Sequence, residues 1–299
     1  MCACEGAVKV LALAIQPRPG QDSGEICLRR SPPLFTATEF LMLPDTAFFD
    51  AIAEAAAAET LPRFRIPVAI DNKQASGFDP VTEADRAAEK AIRQLITERY
   101  PEHGILGEEH GDVGLDRDYV WVIDPIDGTR AFISGLPVWG TLVGLYHKGK
   151  AVMGMMDQPF TGERFIAMPG KASVTRNGDT TRLSTRRGIS LDQAIMMSTS
   201  PKIFSAELEP SYMQVENRVQ LARYGCDCYA YAMVAAGYID LVVEADLKPY
   251  DVGGLIPLVE QAGGVMTTWT GESAEMGGAI VASGSAALHE EVLKLLNQK

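Results

Sequence analysis

The chain has 299 residues, is 46% hydrophobic and 22% charged, and carries a formal net charge of −12. Those proportions are ordinary for a globular protein, and the length allows one large domain or two smaller ones. The acidic balance argues against a general affinity for nucleic acid or anionic membrane, and no stretch is long and apolar enough to span a bilayer.

Residues 1–41 read as an irregular extension, because "QPRPGQDSGEICLRRSPP" is rich in Pro, Gly and charge. The apolar run "VKVLALAI" follows Glu5 with no basic segment before it, which argues against a signal peptide. Met42 opens "MLPDTAFFDAIAEAAAAETLPRF", which has the pattern of a folded start, and translation is expected to begin there. The cysteines Cys2, Cys4, Cys27, Cys226 and Cys228 are an odd and sparse set, so a reducing, cytoplasmic setting is the simpler reading. Cys2 and Cys4 have no partnering Cys or His cluster, and Cys226 and Cys228 read as small buried residues.

After Asp45 a helical pattern runs through Phe48, Phe49 and Ile52 to Ala58. "NKQASGFDPVT" is a loop signal. "EADRAAEKAIRQLITERYP" predicts a helix that is apolar at Ala88, Ile92, Leu95 and Ile96 and stops at Pro101. "GILGEEHG" is a short strand entering a polar turn, and "YVWVID" is a buried strand. "WGTLVGLY", "AVMGMMDQ" and "ERFIAM" are strands joined by "HKGK" and "PFTG", and "RNGDT" carries an Asn-Gly hairpin signal. Residues 42–180 therefore read as helices followed by a mostly antiparallel sheet.

Residues 181–299 return to mixed α/β. "AIMMSTS", "IDLVVE" and "GVMTTW" predict strands. "DCYAYAMVAAGY", "YDVGGLIPLVEQAG" and "SAALHEEVLKLLNQ" predict helices. No repeat or linker separates the halves, so 42–299 is expected to form a single catalytic unit of layered sheets and helices.

Four acidic signals fall at the ends of these elements: Asp85 in "DPVTEAD", Glu108 and Glu109 in "LGEEHG", Asp124 and Asp127 in "DPIDGT", and Asp251 in "KPYD". Clustered carboxylates repel one another unless a cation joins them. A hard cation such as Mg²⁺ takes oxygen ligands, and a two-metal site needs a bridging carboxylate plus outer ones. Asp124 and Asp127 meet that need, and the Pro-Ile turn between them offers the Ile126 carbonyl. A helix starting at Gly128-Thr129 would turn free N–H groups and its positive end to the same place. Gly128 admits a close approach, and Thr129 adds a hydroxyl that can orient a water. Taken singly, Asp-x-x-Asp reads as a turn and "GEE" as a solvated loop; the order and spacing of all four point to metal-dependent phosphate chemistry. His103, His110, His147 and His289 lack metal-ligand spacing and read as surface residues.

"GEE" at 107–109, "WVIDPIDGT" at 121–129 and "PYDVGG" at 249–254, with "DPVTEAD" upstream, resemble the motifs of the inositol monophosphatase family, the Mg²⁺-dependent, lithium-sensitive phosphatases. The resemblance runs from about residue 45 to the C-terminus. It implies an α+β layered αβαβα sandwich, like that of fructose-1,6-bisphosphatase, usually as a homodimer with two or three Mg²⁺ per active site. By this resemblance Glu108, Asp124 and the Ile126 carbonyl hold a first metal. Asp124, Asp127 and Asp251 hold a second, and Asp85 and Glu108 reach a third through water. The implied reaction is in-line attack of a metal-activated water on a phosphomonoester, with Thr129, Asp85 and Glu109 orienting or deprotonating the water and Gly128 and Thr129 binding the phosphate.

"DGTRAFISGLPVWGTLVGL", "YGCDCYAY" and "VVEADLKPYD" look like the histidinol-phosphatase branch of this family. Histidinol phosphate carries an ammonium and an imidazole, and Asp227 and Glu244 are acidic groups suited to pair with them. Arg130, Arg223 and Gly225 complete the expected substrate face, and Asp227 has the competing reading of a helix N-cap. The expected activity is Mg²⁺-dependent hydrolysis of L-histidinol phosphate to L-histidinol and phosphate, in histidine biosynthesis. The alternatives are an inositol-1-phosphate or broad sugar-phosphate phosphatase and, from another class, a non-catalytic regulatory protein of the same fold. Neither nucleic acid nor membrane is an expected partner.

Overall fold

A computed structural model of the chain describes residues 43–67, 70–72 and 80–298. The N-terminal extension, the expected start at Met42 and residues 73–79 of the "NKQASGFDPVT" loop lie outside the described residues. Pro44–Lys299 hold together as one unit.

The first layer is a helical pair. α1 (Thr46–Thr60) starts where Asp45 accepts a hydrogen bond from the Phe48 N–H at 2.9 Å, a cap worth about 1 kcal/mol. A two-residue ribbon, β1 (Asp71–Asn72) against β2 (Pro80–Val81), leads into α2 (Glu83–Arg99). On α2, Ala88, Ile92 and Ile96 are buried as the periodicity predicts, and Leu95 is half-buried.

These helices cover a seven-stranded sheet. Its strands are β3 (Gly104–Gly107), β4 (Tyr119–Asp127), β5 (Gly140–His147), β6 (Lys150–Gln158), β7 (Glu163–Met168), β8 (Lys171–Arg176) and β9 (Asp179–Arg182), in spatial order as in sequence. Only β3 and β4 are parallel; every other neighbouring pair is antiparallel. A short helix, α3 (Thr129–Ile133), follows β4. Asn177 and Gly178 turn β8 into β9 with φ of +52° and +85°, the primed-turn geometry that an Asn-Gly pair favours.

The second sheet has five strands in the order β11-β10-β12-β14-β13. They are β10 (Ile195–Ser198), β11 (Leu221–Tyr224), β12 (Leu241–Leu247), β13 (Val265–Thr268) and β14 (Gly278–Ser283). β10 is parallel to both of its neighbours, and β14 is antiparallel to both of its own. Between β10 and β11 lies α4 (Glu209–Glu216), and the chain closes with α8 (Ala286–Leu296); both cover the outer face of this sheet.

Three helices fill the space between the sheets: α5 (Asp227–Ala235), α6 (Pro249–Gly253) and α7 (Leu255–Gln261). The main core joins Leu142 and Met156 of the first sheet to Tyr231 and Val234 of α5, Leu258 of α7, and Val242 and Ile280 of the second sheet. A helix buried on all sides is apolar all round, which explains the run "CYAYAMVAA". The layers are αβαβα, as the resemblance implies.

Several expectations need correction. The helix expected over 250–263 is two helices, α6 and α7, parted at Gly254. There the backbone lies directly on the first sheet. A Cβ at Gly144 would overlap the Gly253 carbonyl, and one at Gly154 would overlap the Gly254 carbonyl. The histidines are not all on the surface. His147 and His289 are buried, and His289 bonds Thr267 and Ser283. His103 accepts from Trp121 Nε1 at 3.0 Å, and burial lowers its pKa to about 4. Cys228 is buried and Cys226 half-buried. Among the described residues, no helix is long and apolar enough to cross a membrane.

Candidate active site

The site forms where the C-terminal end of β4 meets α3, α5 and α6. In a regular strand, residues three apart point to opposite faces. Here the register of β4 against β5 slips between Asp124 and Asp127, and that bulge turns both carboxylates inward. The Ile126 N–H donates to Asp124 Oδ1 at 3.0 Å and tightens the bulge. Asp251 arrives from the other half of the chain on the first turn of α6, where its Oδ2 accepts from the Lys248 N–H at 2.6 Å. Asp124, Asp127 and Asp251 each offer an oxygen within 4.8 Å of the others.

Burial raises the pKa of Asp124 well above the usual carboxylate range, and the charges of Glu108, Asp127 and Asp251 raise it further. Burial likewise raises Asp127, aided by Asp227 and Asp251. It pushes Asp251 up to about 7. Such a set is strained as bare anions and relieved by a cation. All its donors are oxygens, the chemistry that hard divalent ions take. The residues therefore fit a divalent metal.

Glu108 stands at the end of β3 with its N–H on the Ile123 carbonyl at 3.2 Å, and its charge is felt by Asp85, Asp124 and Asp251. Glu109 is on the same turn; the pKa of Arg86 is raised chiefly by its hydrogen bond with Asp71, and the Glu109 charge adds to that rise. Asp85 is buried at the start of α2, where its Oδ2 takes the Thr82 N–H at 2.8 Å and the Thr82 hydroxyl at 2.6 Å. Burial raises its pKa. Its Oδ1 faces Thr129 Oγ1 at 3.4 Å, and that hydroxyl also lies 3.1 Å from the Ile126 carbonyl.

Gly128 has φ +83°, in the left-handed region, and a Cβ there would meet Asp227 Oδ2 at 2.9 Å. α3 spans only Thr129–Ile133, with Gly128 as its N-cap and no side-chain cap on its first turn. Arg130 is exposed; burial raises the pKa of Asp227, and the Thr199 hydrogen bond and the Arg130 charge offset that rise in part.

Asp227 is not a side-chain cap. The N-cap of α5 is Cys226, and Asp227, at φ +43°, sends its carboxylate away from its own helix. The cap comes from elsewhere: Asp127 Oδ2 accepts from the Cys228 N–H at 2.6 Å. Asp227 Oδ1 takes the Thr199 hydroxyl at 3.0 Å. Thr199 also gives its N–H to Glu244 Oε1 at 2.7 Å, with its Oγ1 2.6 Å from the same atom. Tyr231 donates to Glu244 Oε2 at 2.9 Å. Glu244 is 2% exposed with its pKa pushed up to about 7 by burial, so it stands one layer behind the position expected for it at the substrate face. Sequence reasoning missed Thr199 and Tyr231; the polar end of "AIMMSTS" is the one available signal for Thr199. Arg223 is exposed on β11, and Gly225 follows with φ +81° and its N–H on the Ser198 carbonyl at 3.1 Å.

Residues 43–299 match the model of the inositol monophosphatase family. The chain is 43% identical to the bifunctional phosphatase IMPL2, chloroplastic, of Arabidopsis thaliana, over 83% of this chain and 73% of that protein. It is 31% identical to a histidinol-phosphatase of Chlorobaculum parvum over 84% of this chain and 96% of that one. Among solved structures, an inositol monophosphatase from Zymomonas mobilis superposes with a TM-score of 0.75 at 37% identity, covering 84% of this chain and 97% of that one. The chain belongs to the inositol monophosphatase family, with the layered fold and the phosphatase character of that family.

Proposed function

We propose that this protein is a Mg²⁺-dependent phosphomonoesterase that hydrolyses L-histidinol phosphate to L-histidinol and phosphate. The observation that carries the substrate reading is Asp227, a carboxylate held by Thr199 and set against Gly128 beside the metal-facing aspartates. The ammonium or imidazolium of histidinol phosphate would meet it in a charge-assisted hydrogen bond, which a neutral polyol cannot match. Tyr231 holds Glu244, Glu244 holds Thr199, and Thr199 holds Asp227. Likeness to the Chlorobaculum histidinol-phosphatase over nearly its whole length supports the reading.

Asp124, Asp127 and Asp251, with Glu108 and the Ile126 carbonyl, would hold two divalent ions, and Asp85 with Glu108 would reach a third through water. When bound, such ions supply positive charge to the phosphate and lower the pKa of water. The chain's own groups do the rest. The N–H groups of Gly128 and Thr129 bind a phosphate oxygen. Thr129 Oγ1, between Asp85 and the Ile126 carbonyl, orients the attacking water, and Asp85 Oδ1 takes its proton through that hydroxyl. Glu109 assists from the neighbouring turn. Arg130, Arg223 and Gly225 border the substrate face. A homodimer and a cytoplasmic location are part of the proposal, to be checked by sedimentation and by a fluorescent fusion.

A second reading, an inositol-1-phosphate or sugar-phosphate phosphatase, is favoured by likeness to the Zymomonas mobilis structure. Phosphate release with Mg²⁺ separates the two by kcat/KM on histidinol phosphate and inositol 1-phosphate. A strong preference for histidinol phosphate is expected. Preference for inositol 1-phosphate overturns the substrate reading and keeps the metal site. No turnover of either favours the non-catalytic alternative.

A further inference from the structure

Glu89 lies on α2 one turn beyond Asp85, and its residue is fully buried. A buried carboxylate costs free energy unless donors meet it. Here Oε1 accepts from Arg93 Nε at 2.6 Å and from the His110 N–H at 3.1 Å, and Oε2 accepts from the Glu109 N–H at 2.7 Å. Arg93 Nη2 donates to the Gly111 carbonyl. His110 Nε2 lies 2.8 Å from the Arg86 carbonyl. Arg86, Glu89 and Arg93 share one face of α2, and the turn after β3 hangs from that face. The fit is close, because a Cβ at Gly107 would overlap the Glu89 carboxylate and the Arg93 guanidinium. This turn carries Glu108 to Asp124 and Asp85.

We infer that Glu89 and Arg93 are positioning residues: by fixing the turn at 107–111 they set where the Glu108 carboxylate stands relative to Asp124. The inference rests on the proposed role of Glu108 as a metal ligand. Neither residue is placed at substrate. A carboxylate suits the task because it accepts at every lone pair, whereas a glutamine would turn an NH₂ toward one of the two backbone N–H groups.

The test is Mg²⁺ binding by calorimetry on the full chain, beside the melting temperature of the metal-free protein and kcat at saturating Mg²⁺. Glu89→Gln is the first variant. Glu89→Gln/Arg93→Gln is the second, because it leaves no buried guanidinium without its carboxylate, and Glu108→Gln is the control. Both positioning variants are expected to bind Mg²⁺ about 10- to 100-fold more weakly, with kcat restored at high Mg²⁺. A purely structural role lowers the melting temperature and leaves Mg²⁺ affinity unchanged. That result, with Glu108→Gln still weakening binding, overturns the inference alone. Unchanged binding in Glu108→Gln overturns the metal role of Glu108, and the inference with it.

Discussion

The two sheets contribute to the site in different ways. From the seven-stranded half come Asp124, Ile126, Asp127, Gly128 and Thr129, all within one bulged strand end and the short helix after it. From the five-stranded half come Thr199 at the end of β10, Asp227 at the start of α5 and Glu244 on β12, three separate elements joined by hydrogen bonds. The first arrangement is local, so bond geometry places it. The second is tertiary, so only packing places it. Asp124 and Asp127 thus stand on a segment whose spacing cannot drift, whereas Asp251 and the network of Thr199, Asp227 and Glu244 depend on packing.

Five experiments sharpen or break that contrast. Asp124→Asn is expected to lower turnover by several orders of magnitude on every phosphomonoester tested, because it removes the ligand proposed to bridge both ions. Retained turnover with any substrate ends the metal assignment. Gly128→Ala is expected to lose about 100-fold in kcat, since the new Cβ meets Asp227 Oδ2 at 2.9 Å and the backbone sits at φ +83°. Asp227→Asn is expected to cost about 10- to 100-fold in kcat/KM for histidinol phosphate, with little change for inositol 1-phosphate. Equal losses on both would show that the five-stranded half does not govern specificity.

The fourth experiment concerns pH. Asp124, Asp127 and Asp251 have folded pKa values raised above those of the unfolded chain. Raised carboxylates bind more protons in the folded state, so their contribution is full below the unfolded value near 3.8 and is lost as pH rises through the folded value, about 7 for Asp251. Metal-free protein should therefore lose melting temperature from this source between about pH 4 and pH 7, and Mg²⁺ should restore it at pH 8. A metal-free melting temperature that climbs steadily across that range contradicts this. The smallest effect is expected of Tyr231→Phe, which removes one donor from Glu244 and should cost about 1–2 kcal/mol of stability while kcat for inositol 1-phosphate holds.

The same contrast explains what could be read before the fold was seen. The acidic signals at element ends, the run of helices and strands and the Asn-Gly hairpin follow from local spacing and periodicity, whereas the αβαβα layering was implied by the resemblance of the motifs to a known family. Thr199 did not emerge, because a threonine at a strand end has no pattern of its own. Glu89 left a fainter trace, as a charged residue inside the apolar stripe formed by Ala88, Ile92 and Ile96. Asp227 read equally well as a cap, since only the tertiary bond from Cys228 to Asp127 shows which carboxylate caps α5. The break at Gly254 was hidden for a similar reason: its cause is the sheet beneath it, not the helix.

That seat of glycine on glycine has a consequence for how the protein is made. Gly253 and Gly254 lie against Gly144 and Gly154 and bring Asp251 to the two aspartates at the end of β4. A ribosome that has released only the seven-stranded half has delivered two of these three carboxylates and no closed site. The last arrives when a segment far along the chain docks, a long-range contact that forms slowly. A divalent cation held there would then clip the finished product, because an ion that binds only the assembled site stabilises it by mass action. Uptake of metal during synthesis would therefore serve as a clock for the joining of the two halves.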